Sequence, residues 1–141
     1  MPIMDINYKL ATGIDLSATV TGSGVSMAQG GALEGLKAGL IVEAMMIVNG
    51  AIDDTTGNET MQVFIEEYDG TNWRTVAVFP TVGDAADDNP DVDNAGRALK
   101  CFFCPSYAST QLRYRTIAAG TTPSLTNVDI WLHPTEMSPP I

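Results

Sequence analysis

Cys101-Phe102-Phe103-Cys104 is the first place to look for chemistry, because a C-x-x-C spacing serves redox exchange or metal binding. A redox pair of this kind sits at a helix start in a βαβ setting, whereas this one lies in an apolar, β-like run. Along an extended strand three residues would separate the two Cα atoms by about 10 Å, and a disulfide needs about 4.4–6.8 Å. A structural zinc wants a full tetrahedral shell, and this pair with the lone His133 supplies three ligands at most. The two cysteines read as reduced thiols, at least one of them buried.

Residues 84–96, rich in Asp and ending in Asn94-Ala95-Gly96, resemble a calcium loop in composition. With Asp91 as first ligand, Asp93 and Gly96 fall correctly, but the fifth position is Ala95 and the twelfth, a bidentate Glu in such loops, is Phe102. A solvated acidic loop between strands is the simpler reading, with an irregular calcium site left open. His133 stands in Leu-His-Pro with no nucleophile motif nearby, and Gly22-Ser23-Gly24 lacks the following Lys of a phosphate loop. In so acidic a chain a carboxylate pair could do acid–base work, yet nothing singles one out. The sequence therefore reads as non-enzymatic, with no cofactor.

The elements that carry these residues are short strands. Residues 61–68 and 73–80 are rich in β-branched and aromatic side chains and flank Asp69-Gly70-Thr71-Asn72, a hairpin signature. Further runs follow at 98–104, 111–117 and 128–132. A helix over 32–48 would keep Leu33, Leu36 and Leu40 in phase, but Gly35 and Gly39 would each cost about 1 kcal/mol, so 40–48 reads as a buried strand. Alternation turns Leu112 and Tyr114 inward with Arg113 and Arg115 outward. It also puts Val128, Ile130 and Leu132 on one face, opposite Asp129 and a half-buried Trp131. Trp73 should anchor the hairpin.

The first forty residues hold seven glycines among small side chains, with one possible strand at 17–21. The expectation is one all-β domain: a glycine-rich N-terminal arm with loops over 1–39, and an antiparallel β-sandwich over 40–141. Jelly-roll topology is one of its few closed solutions.

A net charge of −10, with only seven Lys and Arg, argues against a nucleic-acid partner. The longest apolar stretch, 40–48, is interrupted by Glu43 and falls far short of the roughly 18 residues of a membrane helix. The start of the chain lacks the basic, then apolar, pattern of a signal peptide, which suggests a soluble protein made and kept in a cytoplasm. Charge is also unevenly spread. Residues 53–93 hold eleven acids against Arg74, while 94–128 hold Arg97, Lys100, Arg113 and Arg115 and no acid. This is either a solvated surface or a face that docks on a complementary partner through those four cations. If they are free to dock, reversing Arg113 and Arg115 to Glu should leave the sandwich folded.

The order of segments carries a resemblance. An arm with Ile14-Asp15-Leu16-Ser17-Ala18-Thr19-Val20-Thr21-Gly22-Ser23-Gly24-Val25 precedes the strand at 40–48. Then come Phe64-Ile65-Glu66-Glu67-Tyr68-Asp69-Gly70-Thr71-Asn72-Trp73, a small-residue loop, Leu112-Arg113-Tyr114-Arg115-Thr116 and a closing strand. This resembles the capsid cement (decoration) proteins of tailed bacteriophages, in particular the jelly-roll type known from a Bordetella phage. The cysteine run and the acidic loop depart from it. The resemblance implies a virion protein made in the host cytoplasm, without enzymatic activity, on the outer face of the head. There it would bind the major capsid protein as a dimer or trimer and bridge neighbouring capsomers. The rival expectation is a carbohydrate-binding sandwich stacking sugars on Trp73, Trp131 or Tyr107, discriminated by whether two or more coplanar rings are exposed. A small hydrolase ranks last.

Overall fold

The computed structural model describes residues 8–36, 39–50, 52–53, 59–83, 98–121 and 124–135, which form nine strands and no helix. In chain order they are β1 (Lys9–Leu16), β2 (Val25–Ser26), β3 (Ile41–Val48), β4 (Ile52–Asp53), β5 (Thr60–Tyr68), β6 (Trp73–Val78), β7 (Ala98–Phe103), β8 (Gln111–Ala119) and β9 (Ser124–Thr135). One sheet runs β1-β9-β3-β7 with β4 paired to β9, the other β2-β8-β5-β6, and every pairing is antiparallel. Leaving β4 aside, the pairs β1·β9, β2·β8, β3·β7 and β5·β6 nest inside one another along the chain.

Alternation builds the core. Val42, Ala44, Met46 and Val48 of β3 and Val128, Ile130 and Leu132 of β9 turn inward from one sheet. They meet Met61, Val63 and Ile65 of β5 and Leu112 of β8 from the other, giving the apolar-in, polar-out pattern of a sandwich. The β5–β6 hairpin closes on its turn as the residue types require. The Asp69 carboxylate accepts the Thr71 and Asn72 N–H groups at 2.8 and 2.7 Å, and Gly70 takes φ +97°. A bulge falls between Ile65 and Glu66, where the register steps from Ile65↔Ala77 to Glu66↔Thr75 and leaves Val76 unmatched. The bulge lets Trp73 and Thr75 stay on the outer face while Ala77 turns into the core.

The N-terminal segment differs from expectation. Residues 8–36 belong to the sandwich: β1 lies along β9, and Leu10, Leu16, Met27, Leu33 and Leu36 are buried. The strand sits at Lys9–Leu16, and 17–21 is a non-strand segment tied down by Thr116, whose hydroxyl donates to the Ala18 carbonyl (2.8 Å) and accepts the Val20 N–H (3.0 Å). Residues 1–7, the start of the arm and loops expected over 1–39, lie outside the described residues.

Candidate functional site

The outer face of the β2-β8-β5-β6 sheet carries a ladder of charges and rings. Glu66, opposite Arg113 in register, is only 6% exposed and takes both arginines. Its Oε1 accepts from Arg113 Nε and Nη2 at 2.8 Å each, and its Oε2 from Arg115 Nε at 2.8 Å. Each guanidinium also lies over a ring, Arg113 at 3.9 Å from Trp73 and Arg115 at 4.6 Å from Phe64. Trp73 in turn leans on Tyr68, with ring centroids 5.0 Å apart, as a hairpin anchor would. The two arginines do leave the outer face, but they are partly covered and bound to their own chain. Two cations on one carboxylate leave a surplus of one positive charge, and reversing both would surround Glu66 with like charge rather than leave the fold untouched.

Lys100 stands elsewhere. It leaves the outer face of the other sheet from β7 and pairs with Glu43 of β3 at 3.2 Å. Lys100 and the Arg113–Arg115 pair therefore point away from each other across the sandwich, and Arg97 lies outside the described residues. The acid-free stretch is not one docking patch. On the Lys100 face, Lys9 Nζ caps the half-buried Trp131 at 4.2 Å, and Phe102 and Ile41 are 58% and 40% exposed. His133 sits beside Glu43 in register, with its Nδ1 buried and without a hydrogen-bond partner.

One end of the sandwich is built around Glu67, a carboxylate that faces inward from β5 and is 2% exposed. Its Oε2 accepts the Ser106 N–H at 3.0 Å, and its Oε1 faces Arg74 Nε and Nη2 at 3.2 and 3.1 Å. Arg74 Nη2 donates onward to Ser106 Oγ at 2.9 Å. The β7–β8 loop they hold continues into a turn closed by Ser109 N–H on the Ser106 carbonyl (3.1 Å), with Tyr107, 99% exposed, at its tip. Sequence reasoning passed over Glu66 and Glu67. The available signal was two carboxylates inside an otherwise apolar strand, with Arg74 opposite Glu67 across the hairpin turn.

The thiols are both free, and neither is fully buried: Cys101 is half-buried against the core and Cys104 is exposed just past the end of β7. Burial pushes the Cys101 thiol up to about 11, so it resists ionisation. Among the described residues no three His, Cys, Asp or Glu side chains gather as a metal ion would need, and the acidic segment 84–96 lies outside them.

No protein-family model, curated protein or solved structure matches the chain.

Proposed function

We propose that this chain is a non-enzymatic clamp on a protein lattice: a decoration protein that seats on the outer face of a phage head, binds the major capsid protein and cements neighbouring capsomers. The observation that carries the reading over its rival is the state of the two indoles. Trp73 and Trp131, the strongest stacking groups in the chain, each have a ring covered by a cation of the same chain, Arg113 and Lys9. Of the aromatic side chains only Phe102 and Tyr107 are exposed, one on a sheet face and the other at a loop tip. A sugar platform wants coplanar open rings in a concave face. Edge-packed rings and surface ion pairs suit a sandwich that meets another protein.

The nested pairs β1·β9, β2·β8, β3·β7 and β5·β6 support the same reading, because a jelly roll, an architecture of capsid and lectin domains, would pair its strands in that order. Fold alone does not choose between those two uses. Co-sedimentation does. The purified chain should pellet with undecorated shells assembled from the coat protein of its own phage and raise their melting temperature by mass action. Failure to pellet, with retention on a glycan array, would replace this reading with the carbohydrate module.

A further inference from the structure

Tyr107 presents a contradiction in physical terms. Its ring is 99% exposed and contributes nothing to the core, yet the loop that presents it is tied down on both sides of it, at Ser106 and at Thr110. The buried Glu67 carboxylate holds the Ser106 N–H, and Arg74 holds the Ser106 hydroxyl. The Thr110 N–H and hydroxyl both reach the Tyr68 carbonyl, at 2.8 and 3.2 Å. Beyond the turn, Met27 N–H donates to the Thr110 carbonyl at 3.0 Å, which fastens the loop to the segment after β2. Burying a carboxylate to rigidify a loop whose outward product is one bare ring is what an interface needs. A preorganised anchor loses little entropy on binding, and tyrosine is among the residues that dominate interface energy.

Beside Tyr107 the same loop walls a cavity of about 190 Å³. Among the described residues its lining combines buried Met27 and Leu36 with Ala28, Ser106, Ser109 and Thr110, none of them charged. That volume is below the roughly 300–1,000 Å³ of small-ligand sites, and suits a single inserted side chain. The described wall, apolar on one side and hydroxyl-lined on the other, offers an ionic group no charged partner to offset its desolvation. It would accept an apolar one.

Resting on the shell-binding reading above, we propose that the β7–β8 loop is the contact tip. Tyr107 inserts into the coat-protein surface, and an apolar side chain of that surface enters the adjoining cavity. The charged ladder on the sheet face is then not the principal anchor.

The test uses the full chain in co-sedimentation with undecorated shells, comparing wild type, Tyr107→Ala and Ala28→Trp, the last filling the cavity from its exposed rim. Both variants should melt like wild type, since neither side chain supports the core. Both should bind about thirtyfold more weakly, the ratio of a hot-spot loss. That weakening should persist at high salt, because the contact is uncharged. If wild type pellets and Tyr107→Ala pellets equally well, the tip is not the contact and the shell reading stands without it. If Tyr107→Ala alone is weakened, the cavity has no occupant and that half of the proposal falls. If wild type itself does not pellet, the shell reading fails and the tip assignment fails with it.

Discussion

Replacing Glu67 tests the internal clamp most directly. The carboxylate is 2% exposed and accepts the Ser106 N–H at 3.0 Å, a hydrogen bond to a charged acceptor worth about 1.5–3 kcal/mol. Its ion pair with Arg74 adds less. The Arg74 side chain is 54% exposed, so solvent screening holds that contribution below about 1 kcal/mol. Against these stands the relief of no longer burying a carboxylate. The net expectation is a loss of about 2 kcal/mol for Glu67→Ala. Glu67→Gln keeps the shape and one acceptor for Ser106 and should lose about 1 kcal/mol. For a chain of this size about 2–4 °C of melting temperature accompanies each kcal/mol, so the alanine variant should melt about 4–8 °C lower. Urea denaturation followed by circular dichroism gives the free energies, and hydrogen exchange at the Ser106 and Ser109 amides shows whether the loop itself is released. Arg74→Ala should cost under about 1 kcal/mol, with a double-mutant coupling no larger. An alanine variant within about 0.5 kcal/mol of wild type would refute the clamp. So would Arg74→Ala costing as much as Glu67→Ala, or an unchanged exchange rate at Ser106.

Three further outcomes follow from the same geometry. Brief alkylation at mildly alkaline pH should label Cys104 quickly and Cys101 only after denaturation, because burial holds the Cys101 thiol near 11; equal labelling of both in the native protein would contradict its placement. Asp69 is held below its ordinary value of 3.8 by the N–H groups of Asn72 and then Thr71, so its contribution to the turn is present above that value and fades as pH falls through the lowered one. Asp69→Ala should therefore speed exchange of the Thr71 and Asn72 amides at neutral pH, and the difference from wild type should close in strong acid. Reversing Arg113 and Arg115 together to Glu should destabilise the fold by more than about 2 kcal/mol, since it leaves the 6% exposed Glu66 among like charges; an unchanged urea midpoint would show that the ladder carries no structural energy.

The elements read correctly from sequence are those whose local signal is strong. The β5–β6 hairpin follows from its residue types and its turn, and β3 with the core-facing Leu112, Val128, Ile130 and Leu132 from residue type and period two, because a strand's side chains must leave opposite faces. Where the backbone departs from plain extension the signal fails. Gly13 at φ +59° interrupts the phase of β1, so Lys9–Leu16 carries no clean alternation in the sequence, while 17–21, readable as one possible strand, is not one. Asn127 at φ +53° does the same in β9. Leu125 and Val128 are both buried although three positions apart, and the start of the strand at Ser124 stays hidden in the sequence. The bulge opposite Ile65 and Glu66 is equally silent, since nothing in Trp73-Arg74-Thr75-Val76-Ala77 says where one residue will drop out of register.

The candidate surfaces depend still more on the third dimension. The acid-free stretch from 94 to 128 looks like one basic patch in the chain, but β7 and β8 belong to different sheets, so Lys100 and the two arginines face opposite ways. Glu66 meets Arg113 across 47 positions and Glu67 meets Ser106 across 39. The sequence by itself determined an acidic all-β chain, the faces of its regular strands and the hairpin turn, because propensity and period act between near neighbours. Which sheet each strand joined, which charges were already paired, and which ring stood bare beside a cavity were decided only by the tertiary structure. Those depend on strand pairing over long separations, and no local preference encodes that register.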